Sequence, residues 1–234
     1  MPVPVPVPVP PSVPVVDLLV LAGGRGSRLG GLDKGALVVE GRPLLDRALA
    51  AAPVLGGRVV VVGRGPVPDG VLRTLEDPPD GGPVAGIAAG LDTLGEEADW
   101  VAVVAVDQPG AEQALTALHA ALGELVDRPG PGAGRGGADG TSPDGVDALA
   151  HADATGHLQW LLAIYRRGAL AAALAALPRV RDVSVRRLVA DLAWHPVGPG
   201  AEHVGDVDTW ADLADWEGRT GSATMGRHRP ELEG

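Results

Sequence analysis

A short apolar run that ends abruptly in a glycine-rich, cationic loop constrains this chain more than any other feature. Residues Val15–Ala22 are almost all aliphatic, as in a strand buried on both faces of a sheet. The loop that follows combines glycines with three cations, Arg25, Arg28 and Lys34. Glycines let backbone N–H groups approach an anion closely, and cations neutralise its charge. The segment therefore predicts a strand followed by a loop that binds the phosphates of a nucleotide.

Strand and helix patterns alternate through the rest of the chain. This alternation favours one mainly parallel sheet with helices on both faces, which is a three-layer, Rossmann-like α/β fold. Ligands of such sheets bind at the carboxyl ends of the strands, where the glycine-rich loop and Asp107 both lie. The predicted strands are Ala36–Glu40, Arg58–Gly63, Val71–Glu76, Trp100–Val106, Val146–Ala150 and Leu158–Tyr165. The predicted helices are Pro43–Ala52, Pro83–Leu94, Ala111–Val126, Arg167–Ala176, one capped by Ser184 that runs to Leu192, and Trp210–Trp216 capped by Thr209.

The chain of 234 residues is long enough for one substantial domain, which we place at residues 15–217. Alternating Pro and Val mark residues 1–14 as a low-complexity tail. Residues 128–143 are dense in Gly and Pro and are predicted to be a disordered insertion. Residues 218–234 are predicted to form a second tail.

Composition excludes several classes of function. A net charge of −11 argues against a general nucleic-acid binder, because affinity for a phosphate backbone needs a basic surface. The sequence holds no cysteine, which excludes disulfides and thiolate catalysis and fits a reducing cytoplasm. It has no signal-peptide pattern and no run of about 20 apolar residues of the kind that a membrane span requires. We therefore expect a cytoplasmic protein with small-molecule substrates and neither nucleic-acid nor membrane partners.

The loop does not match two common nucleotide-binding motifs, because particular residues differ from those that each motif requires. The dinucleotide fingerprint needs a third glycine where Leu29 stands. A Walker A loop needs Gly-Lys-Ser/Thr, but Lys34 lies between Asp33 and Gly35. What remains over residues 21–34 is the pattern Leu-Ala-Gly-Gly-x-Gly-x-Arg-Leu-Gly-x-x-Asp-Lys.

This pattern resembles the signature of the sugar-nucleotide-type nucleotidyltransferases. Over about Val15 to Asp215 the chain is similar to the molybdenum cofactor guanylyltransferase group. The resemblance implies the Rossmann-like nucleotidyltransferase fold and transfer of GMP from GTP to the phosphate of molybdopterin cofactor, with release of pyrophosphate. It implies Mg²⁺ as cofactor and proteins of molybdoenzyme maturation as further partners, and it leaves the oligomeric state open. The blocks that carry it beyond the loop are Glu76-Asp77 with Gly82–Gly90, Ala105–Pro109, and Asp206–Leu213.

Nucleotidyl transfer needs cations that neutralise the reacting phosphate and align it. Arg28 and Lys34 are the predicted catalytic cations, and the resemblance places Lys34 nearest the α-phosphate. Arg25 is predicted to face the β- and γ-phosphates.

A Mg²⁺ ion that bridges phosphate oxygens needs one or two hard carboxylates. Asp107, at the carboxyl end of a strand, is the predicted first metal ligand and is catalytic in that role. The resemblance implies Asp208 as the second ligand, with Asp206 as its alternative. Helix capping is the competing role for Asp107 and Asp208, and a simple turn is that for Asp33.

Base recognition calls for a carboxylate, which accepts hydrogen bonds from both N1–H and the 2-amino group of guanine. The resemblance places an acid of this kind at Asp77. Gly82 and Gly86 are predicted to let the backbone approach the base. The other predicted nucleotide-binding residues are Leu21, Ala22, Gly23, Gly24, Arg25, Gly26 and Lys34.

Two alternatives to a guanylyltransferase remain open. One keeps the chemistry and changes the substrates, as in a cytidylyltransferase with a different phosphorylated acceptor. The other is a catalytically inactive homologue that binds a nucleotide or a partner. Gln159 and Trp160 support these alternatives, since they stand where the family usually carries a His-Pro-Leu-like block on the acceptor side.

Overall fold

The computed structural model describes residues 13–23, 34–127, 145–153, 155–198, 212 and 216. Its strands are β1 (Val16–Leu21), β2 (Val38–Val39), β3 (Arg42–Pro43), β4 (Gly56–Val62), β5 (Leu72–Thr74), β6 (Trp100–Ala105), β7 (Ala148–Ala152), β8 (Leu158–Arg166) and β9 (Trp194–Val197). Its α-helices are α1 (Leu44–Leu49), α2 (Ala52–Leu55), α3 (Pro83–Leu94), α4 (Ala111–Asp127), α5 (Arg167–Ala175) and α6 (Val185–Leu188). None of these described helices has the length and apolar character needed to cross a membrane.

Seven of these strands form one sheet in the order β5-β4-β1-β6-β8-β7-β9, and β2 pairs with β3 in a separate hairpin. Strands β5, β4, β1 and β6 run parallel to one another. β8 is antiparallel to β6 and β7, and β9 is parallel to β7. The prediction of a mainly parallel sheet is confirmed. Because β1 pairs Leu21 with both Val62 and Ala105, the carboxyl ends of the parallel strands meet at one edge.

Alternate residues of β1 belong to two different hydrophobic cores. Val16, Leu18 and Val20 pack with α1, α2 and α4 on one face of the sheet. Leu19 and Leu21 pack with α3, α5 and α6 on the other face. This period of two follows from the pleat of a strand, which sends successive side chains to opposite faces. The predicted three-layer α/β architecture is therefore confirmed.

Two glycines of helix α3, one turn apart, face the sheet and let the helix lie close to it. A Cβ atom on Gly90 would lie 2.5 Å from Cδ1 of Leu19, and one on Gly86 would lie 2.9 Å from Cδ2 of Leu21. Gly82 caps the helix with a φ of 87°, a backbone conformation that favours glycine. These contacts fix the amino end of α3 against the carboxyl ends of β1 and β4.

A buried ion pair explains the one acid within β1. Asp17, only 1% exposed, accepts hydrogen bonds from the backbone N–H of Arg58 (2.7 Å) and from the Arg167 guanidinium. Arg167 also donates to the carbonyl oxygens of Ala98 and Gly95. All donors and acceptors of this cluster lie at the amino ends of β1 and β6, at the opposite edge of the sheet from the carboxyl ends of the strands.

Two of the predicted helices are divided or shortened in the structure. The predicted helix Pro43–Ala52 is divided, because α1 ends at Leu49 and α2 begins at Ala52, and Pro43 precedes the helix at its N-cap. The helix capped by Ser184 ends at Leu188 rather than Leu192, although the capping hydrogen bond from the Arg187 N–H is present (3.3 Å). The chain leaves the helical conformation there because Val189 has φ −98° and ψ 7°.

Strand β9 was not predicted from the sequence. Pro196 lies within it, and proline lacks the N–H that a central strand must donate. β9 tolerates proline because, among the described strands, it is the last in the sheet and pairs on one side only, with β7.

Several predicted segments lie outside the described residues. These are most of the tail at 1–14, the insertion at 128–143, and the tail at 218–234. In the predicted helix Trp210–Trp216 only Asp212 and Trp216 are described, and the Trp216 side chain is buried in the core beside α4.

Candidate functional site

A cleft of about 800 Å³ opens at the carboxyl ends of the parallel strands. Its floor is formed by the residues that follow β1, β4 and β6, and one wall is the amino end of α3. This volume lies within the range of small-molecule sites, which is roughly 300–1,000 Å³. A second hollow, of about 500 Å³, lies beside α5 at the opposite edge of the sheet, next to Arg167 and the carbonyl groups to which it donates.

Lys34 and Asp107 meet in the cleft although 73 residues separate them in sequence. The Lys34 Nζ donates to Oδ2 of Asp107 at 2.9 Å, and the two side chains are 18% and 20% exposed. Lys34 begins a short 3₁₀ turn after the glycine-rich loop, and Asp107 directly follows β6 and Val106. The structure thus brings together two of the predicted catalytic residues.

The structure rules out the competing role of Asp107 as the N-cap of helix α4. Helix α4 begins at Ala111, four residues further on, so Asp107 does not occupy the N-cap position. Its carboxylate instead lines the cleft.

Lys34 is the only lysine in the sequence, and every other side chain that is fully charged as a cation at neutral pH is an arginine. A lysine ammonium is a compact point charge on a flexible stem, which suits a phosphate group that changes its charge during a reaction.

Carboxylates also line the cleft on the side of β5. Glu76 and Asp80 lie in the loop between β5 and α3, and Asp182 precedes α6. Oε1 of Glu76 accepts a hydrogen bond from the Gly81 N–H at 3.2 Å. Arg64, which follows β4, lies with its Nη2 3.9 Å from Oδ2 of Asp80.

Asp77, predicted to recognise the base, is exposed and is not among the residues that line this cleft. Its neighbour Glu76 is half-buried and does line it. Leu75 and Glu76 both line the cleft, and the chain bends directly after them, at residues 77–79. The role of Asp77 stays a prediction.

The other predicted nucleotide-binding residues that the structure describes lie at the cleft. Leu21, Ala22, Gly23, Gly82 and Gly86 all line it. The N–H of Ala22 donates to the carbonyl oxygen of Val62 at 2.9 Å, so this amide continues the sheet instead of meeting a ligand. Gly86 also has a packing role, because Leu21 fills the space that its side chain would need.

Several predicted site residues lie outside the described residues, and their roles stay predictions. These are Gly24, Arg25, Gly26 and Arg28 in the loop, Asp33 beside Lys34, and Asp206 and Asp208 near the C-terminus.

Among the described residues, the carboxylate that a divalent cation could contact beside the Lys34 ammonium is that of Asp107. Among the described residues no group of three or more His, Asp or Glu side chains could hold a metal ion by itself. Mg²⁺ commonly binds through one or two carboxylates together with substrate phosphates and water. Asp107 therefore fits a Mg²⁺ ion that arrives with a nucleotide.

Arg47, which the sequence analysis did not single out, links the two segments that carry Lys34 and Asp107. Its guanidinium donates to the Val39 carbonyl (2.8 Å) and to Glu40 (2.7 Å) in the β2–β3 hairpin. It also donates to the Pro109 carbonyl at 3.3 Å, in the loop after Asp107. No local pattern could reveal this role, because Pro109 is 62 residues away in sequence.

The acceptor-side residues Gln159 and Trp160 lie on β8. Gln159 Nε2 donates to Oδ2 of Asp153 at 3.4 Å, and Trp160 packs against the core beneath α3 and α5. Of this block only the following residue, Leu161, lines the cleft.

The fold and the site together define a Rossmann-like α/β protein with a ligand cleft at its parallel carboxyl edge, and comparisons with known proteins narrow this class. The model of the MobA-like NTP transferase domain family matches residues 18–197, so the chain belongs to this family. The resemblance stated from the sequence motifs is confirmed.

Individual relatives agree with this assignment. Over 109 residues the chain is 37% identical to the molybdenum cofactor guanylyltransferase of Pseudomonas putida (strain GB-1), covering 44% of this chain and 55% of that protein. It is 37% identical over 120 residues to the protein of the same name from Ralstonia nicotianae, covering 48% of this chain and 58% of the relative. The chain thus spans little more than half the length of these relatives.

A solved structure confirms the fold. The crystal structure of molybdopterin-guanine dinucleotide biosynthesis protein A from Archaeoglobus fulgidus superposes with a TM-score of 0.57. The superposition covers 88% of this chain and 100% of that one, at 22% sequence identity.

Proposed function

We propose that this protein is a nucleotidyltransferase that transfers GMP from GTP to the terminal phosphate of molybdopterin cofactor. The observation that carries the proposal is the Lys34–Asp107 pair in the cleft at the carboxyl edge of the sheet. Family membership and relatives that are named guanylyltransferases support it. The substrates in this proposal are GTP and molybdopterin cofactor, and the cysteine-free sequence supports a cytoplasmic location.

In the proposed reaction, a phosphate oxygen of the acceptor attacks the α-phosphorus of GTP in line. The new P–O bond forms while the bond to the β-phosphate oxygen breaks, and pyrophosphate leaves with the electron pair. The nucleophile is already an anion, so no general base is needed, and alignment and charge neutralisation supply most of the rate.

Lys34 donates hydrogen bonds to a non-bridging oxygen of the α-phosphate in this proposal. Its position, 2.9 Å from Asp107, keeps the ammonium at the carboxyl edge before the nucleotide binds. The predicted Arg28 would share the charge of the same phosphate, and Arg25 that of the leaving pyrophosphate. Gly24 and Gly26 would let backbone N–H groups approach these phosphates.

Asp107 would hold the Mg²⁺ ion of the reaction, with Asp208 as the proposed second ligand. When bound, Mg²⁺ stabilises the charge that develops on the phosphate oxygens. Asp107 has a second role that needs no metal, since its carboxylate orients the Lys34 ammonium.

Pyrophosphate release tests the proposal. The protein is incubated with Mg²⁺, molybdopterin cofactor and each of GTP, CTP, ATP and UTP in turn. We expect release with GTP that needs both the acceptor and the metal, and loss of release in Asp107→Asn. Release with CTP alone would favour the cytidylyl alternative, and release with none of the four would overturn the proposal.

A further inference from the structure

The hairpin that joins β7 to β8 lies next to the cleft, on the side away from β5. β8 is antiparallel to β6, and their last pair at the carboxyl end of β6 is Val104 with Leu162. The residues of β8 before Leu162 therefore extend past this pair, and one of them, Leu161, lines the cleft. His157 lies four residues before Leu161, which is a separation of up to about 14 Å along an extended strand.

Four polar side chains of this hairpin form one hydrogen-bond chain. Oδ1 of Asp153 accepts from the Thr155 hydroxyl at 2.7 Å and from the backbone N–H groups of Thr155 (2.8 Å) and His157 (3.0 Å). The hydroxyl oxygen of Thr155 lies 3.1 Å from Nδ1 of His157. Oδ2 of Asp153 accepts from Nε2 of Gln159 at 3.4 Å, which joins the chain to β8. The bond from the Thr155 hydroxyl, followed by the two backbone bonds, lowers the pKa of Asp153 from its ordinary value, so the carboxylate is ionised at neutral pH.

These hydrogen bonds fix which ring nitrogen of His157 carries the proton. The Thr155 hydroxyl has a single hydrogen, which it donates to Asp153. Its oxygen therefore accepts from Nδ1, and the neutral imidazole is in its Nδ1–H tautomer. Nε2 keeps a lone pair and has no hydrogen-bond partner within the described part of the chain. Because the His157 side chain is exposed, Nε2 is an acceptor that a ligand can reach.

The chemistry of the proposed acceptor matches this lone pair. Apart from Lys34, the predicted nucleotide-binding residues that line the cleft lie at the end of β1 or at the amino end of α3, which leaves the β8 side for the acceptor. When its phosphate reacts beside Lys34 and Asp107, its pterin ring extends away from the reacting centre. The ring carries an amino group and N–H groups, which are donors, whereas the phosphate presents acceptor oxygens. A neutral imidazole nitrogen therefore pairs with the ring and not with the phosphate.

We propose that His157 binds the pterin ring of the acceptor, with Nε2 accepting a hydrogen bond from an amino or N–H group of the ring. Thr155 and Asp153 are positioning residues, because they set the tautomer of His157 and do not themselves touch the acceptor. The inference rests on the proposed function, since it takes molybdopterin cofactor as the acceptor.

Binding of molybdopterin cofactor, measured by anaerobic equilibrium dialysis, tests the contact in the wild type, His157→Leu and His157→Gln. One hydrogen bond corresponds to a change in dissociation constant of about 3- to 10-fold, and we expect an increase of this size in His157→Leu. His157→Gln retains an amide oxygen near the position of Nε2, so its dissociation constant should stay within about twofold of that of the wild type. The KM for GTP should be the same in all three proteins, because the nucleotide occupies another part of the cleft.

Thr155→Val tests the positioning role, because valine keeps the shape of threonine and lacks the hydroxyl. Long-range ¹H–¹⁵N spectra are recorded at about pH 8, where histidine is ordinarily neutral. They should show the proton of His157 on Nδ1 in the wild type and a substantial fraction on Nε2 in Thr155→Val, together with weaker binding of the cofactor. A wild type with the proton on Nε2, or a tautomer that Thr155→Val leaves unchanged, would overturn the inference.

The binding data distinguish the remaining outcomes. An unchanged dissociation constant in His157→Leu would overturn the inference, as would an equal increase in His157→Gln or a parallel increase in the KM for GTP. A wild type that binds the cofactor but releases no pyrophosphate with GTP would overturn the proposed function, and the dissociation constants of the variants would still decide the role of His157. A wild type that does not bind the cofactor would overturn both.

Discussion

Replacing Lys34 by methionine removes the positive charge from the cleft while it keeps most of the volume of the side chain. The lost contact is the 2.9 Å hydrogen bond to Asp107. In the transition state the same ammonium contributes a charge-assisted hydrogen bond, and loss of one such donor lowers kcat by about 10²- to 10³-fold, or roughly 3–4 kcal/mol. We expect a decrease of this size in the rate of pyrophosphate release.

The effect on stability is expected to be smaller. About a fifth of each partner is exposed, so the pair lies between an exposed ion pair, worth about 1 kcal/mol or less, and a fully buried one that costs about 3–5 kcal/mol to break. Urea unfolding measures this loss independently of activity. Arg42→Met is the matched control, because it removes an equal charge from the neighbouring hairpin, where Arg42 contacts Glu112 outside the cleft.

The single lysine allows a direct observation of the contact. Reductive methylation with ¹³C-formaldehyde labels Lys34 and the amino terminus of the polypeptide, which gives two distinguishable dimethylamine signals. We expect GTP to shift the Lys34 signal. An unchanged Lys34 signal at saturating GTP, or a kcat in Lys34→Met within about threefold of the wild type, would refute the role of Lys34.

Three further predictions concern residues that support the site. Arg167→Met leaves Asp17 buried without its charge partner, and we expect the free energy of unfolding in urea to fall by about 3–5 kcal/mol, with a smaller fall contradicting the buried-pair interpretation. Gly90→Ala adds a Cβ atom 2.5 Å from a leucine side chain, so its melting temperature should fall, whereas Gly168→Ala, in α5 with nothing within 4 Å, should raise it or leave it unchanged. Arg47→Ala removes the hydrogen bonds between the β2–β3 hairpin and the loop after β6, so the Mg²⁺ concentration for half-maximal rate should rise. Arg47→Lys should restore part of the rate. Equal Mg²⁺ dependence in the wild type and both variants would contradict this.

The central strands were predictable because their sequences are aliphatic on both faces. β1, β4 and β6 lie between two helical layers, so most of their positions are buried and the local run alone reveals the strand. β9 lies at the edge of the sheet, where burial no longer dictates the sequence and a proline is tolerated. Its pairing with β7 depends on chain far away in sequence, which a local pattern does not record.

The candidate site was predictable to a similar degree. Asp107 could be identified because it follows a buried strand, and the same reasoning applied to the end of β4 would have identified Arg64. That Glu76 lines the cleft and Asp77 does not depends on where the loop between β5 and α3 bends, which the local sequence does not record. Arg47 was not predictable, since its partners come together only in the folded chain.

Transfer of label from GTP tests the central proposal most directly. The protein is incubated with Mg²⁺, molybdopterin cofactor and GTP labelled with ³²P at either the α- or the γ-phosphate, and the pterin product is separated from pyrophosphate. Nucleotidyl transfer predicts that the α-label appears in the pterin product and the γ-label in pyrophosphate, and that Lys34→Met slows both together. Appearance of the γ-label in the pterin product, or of neither label, would contradict it.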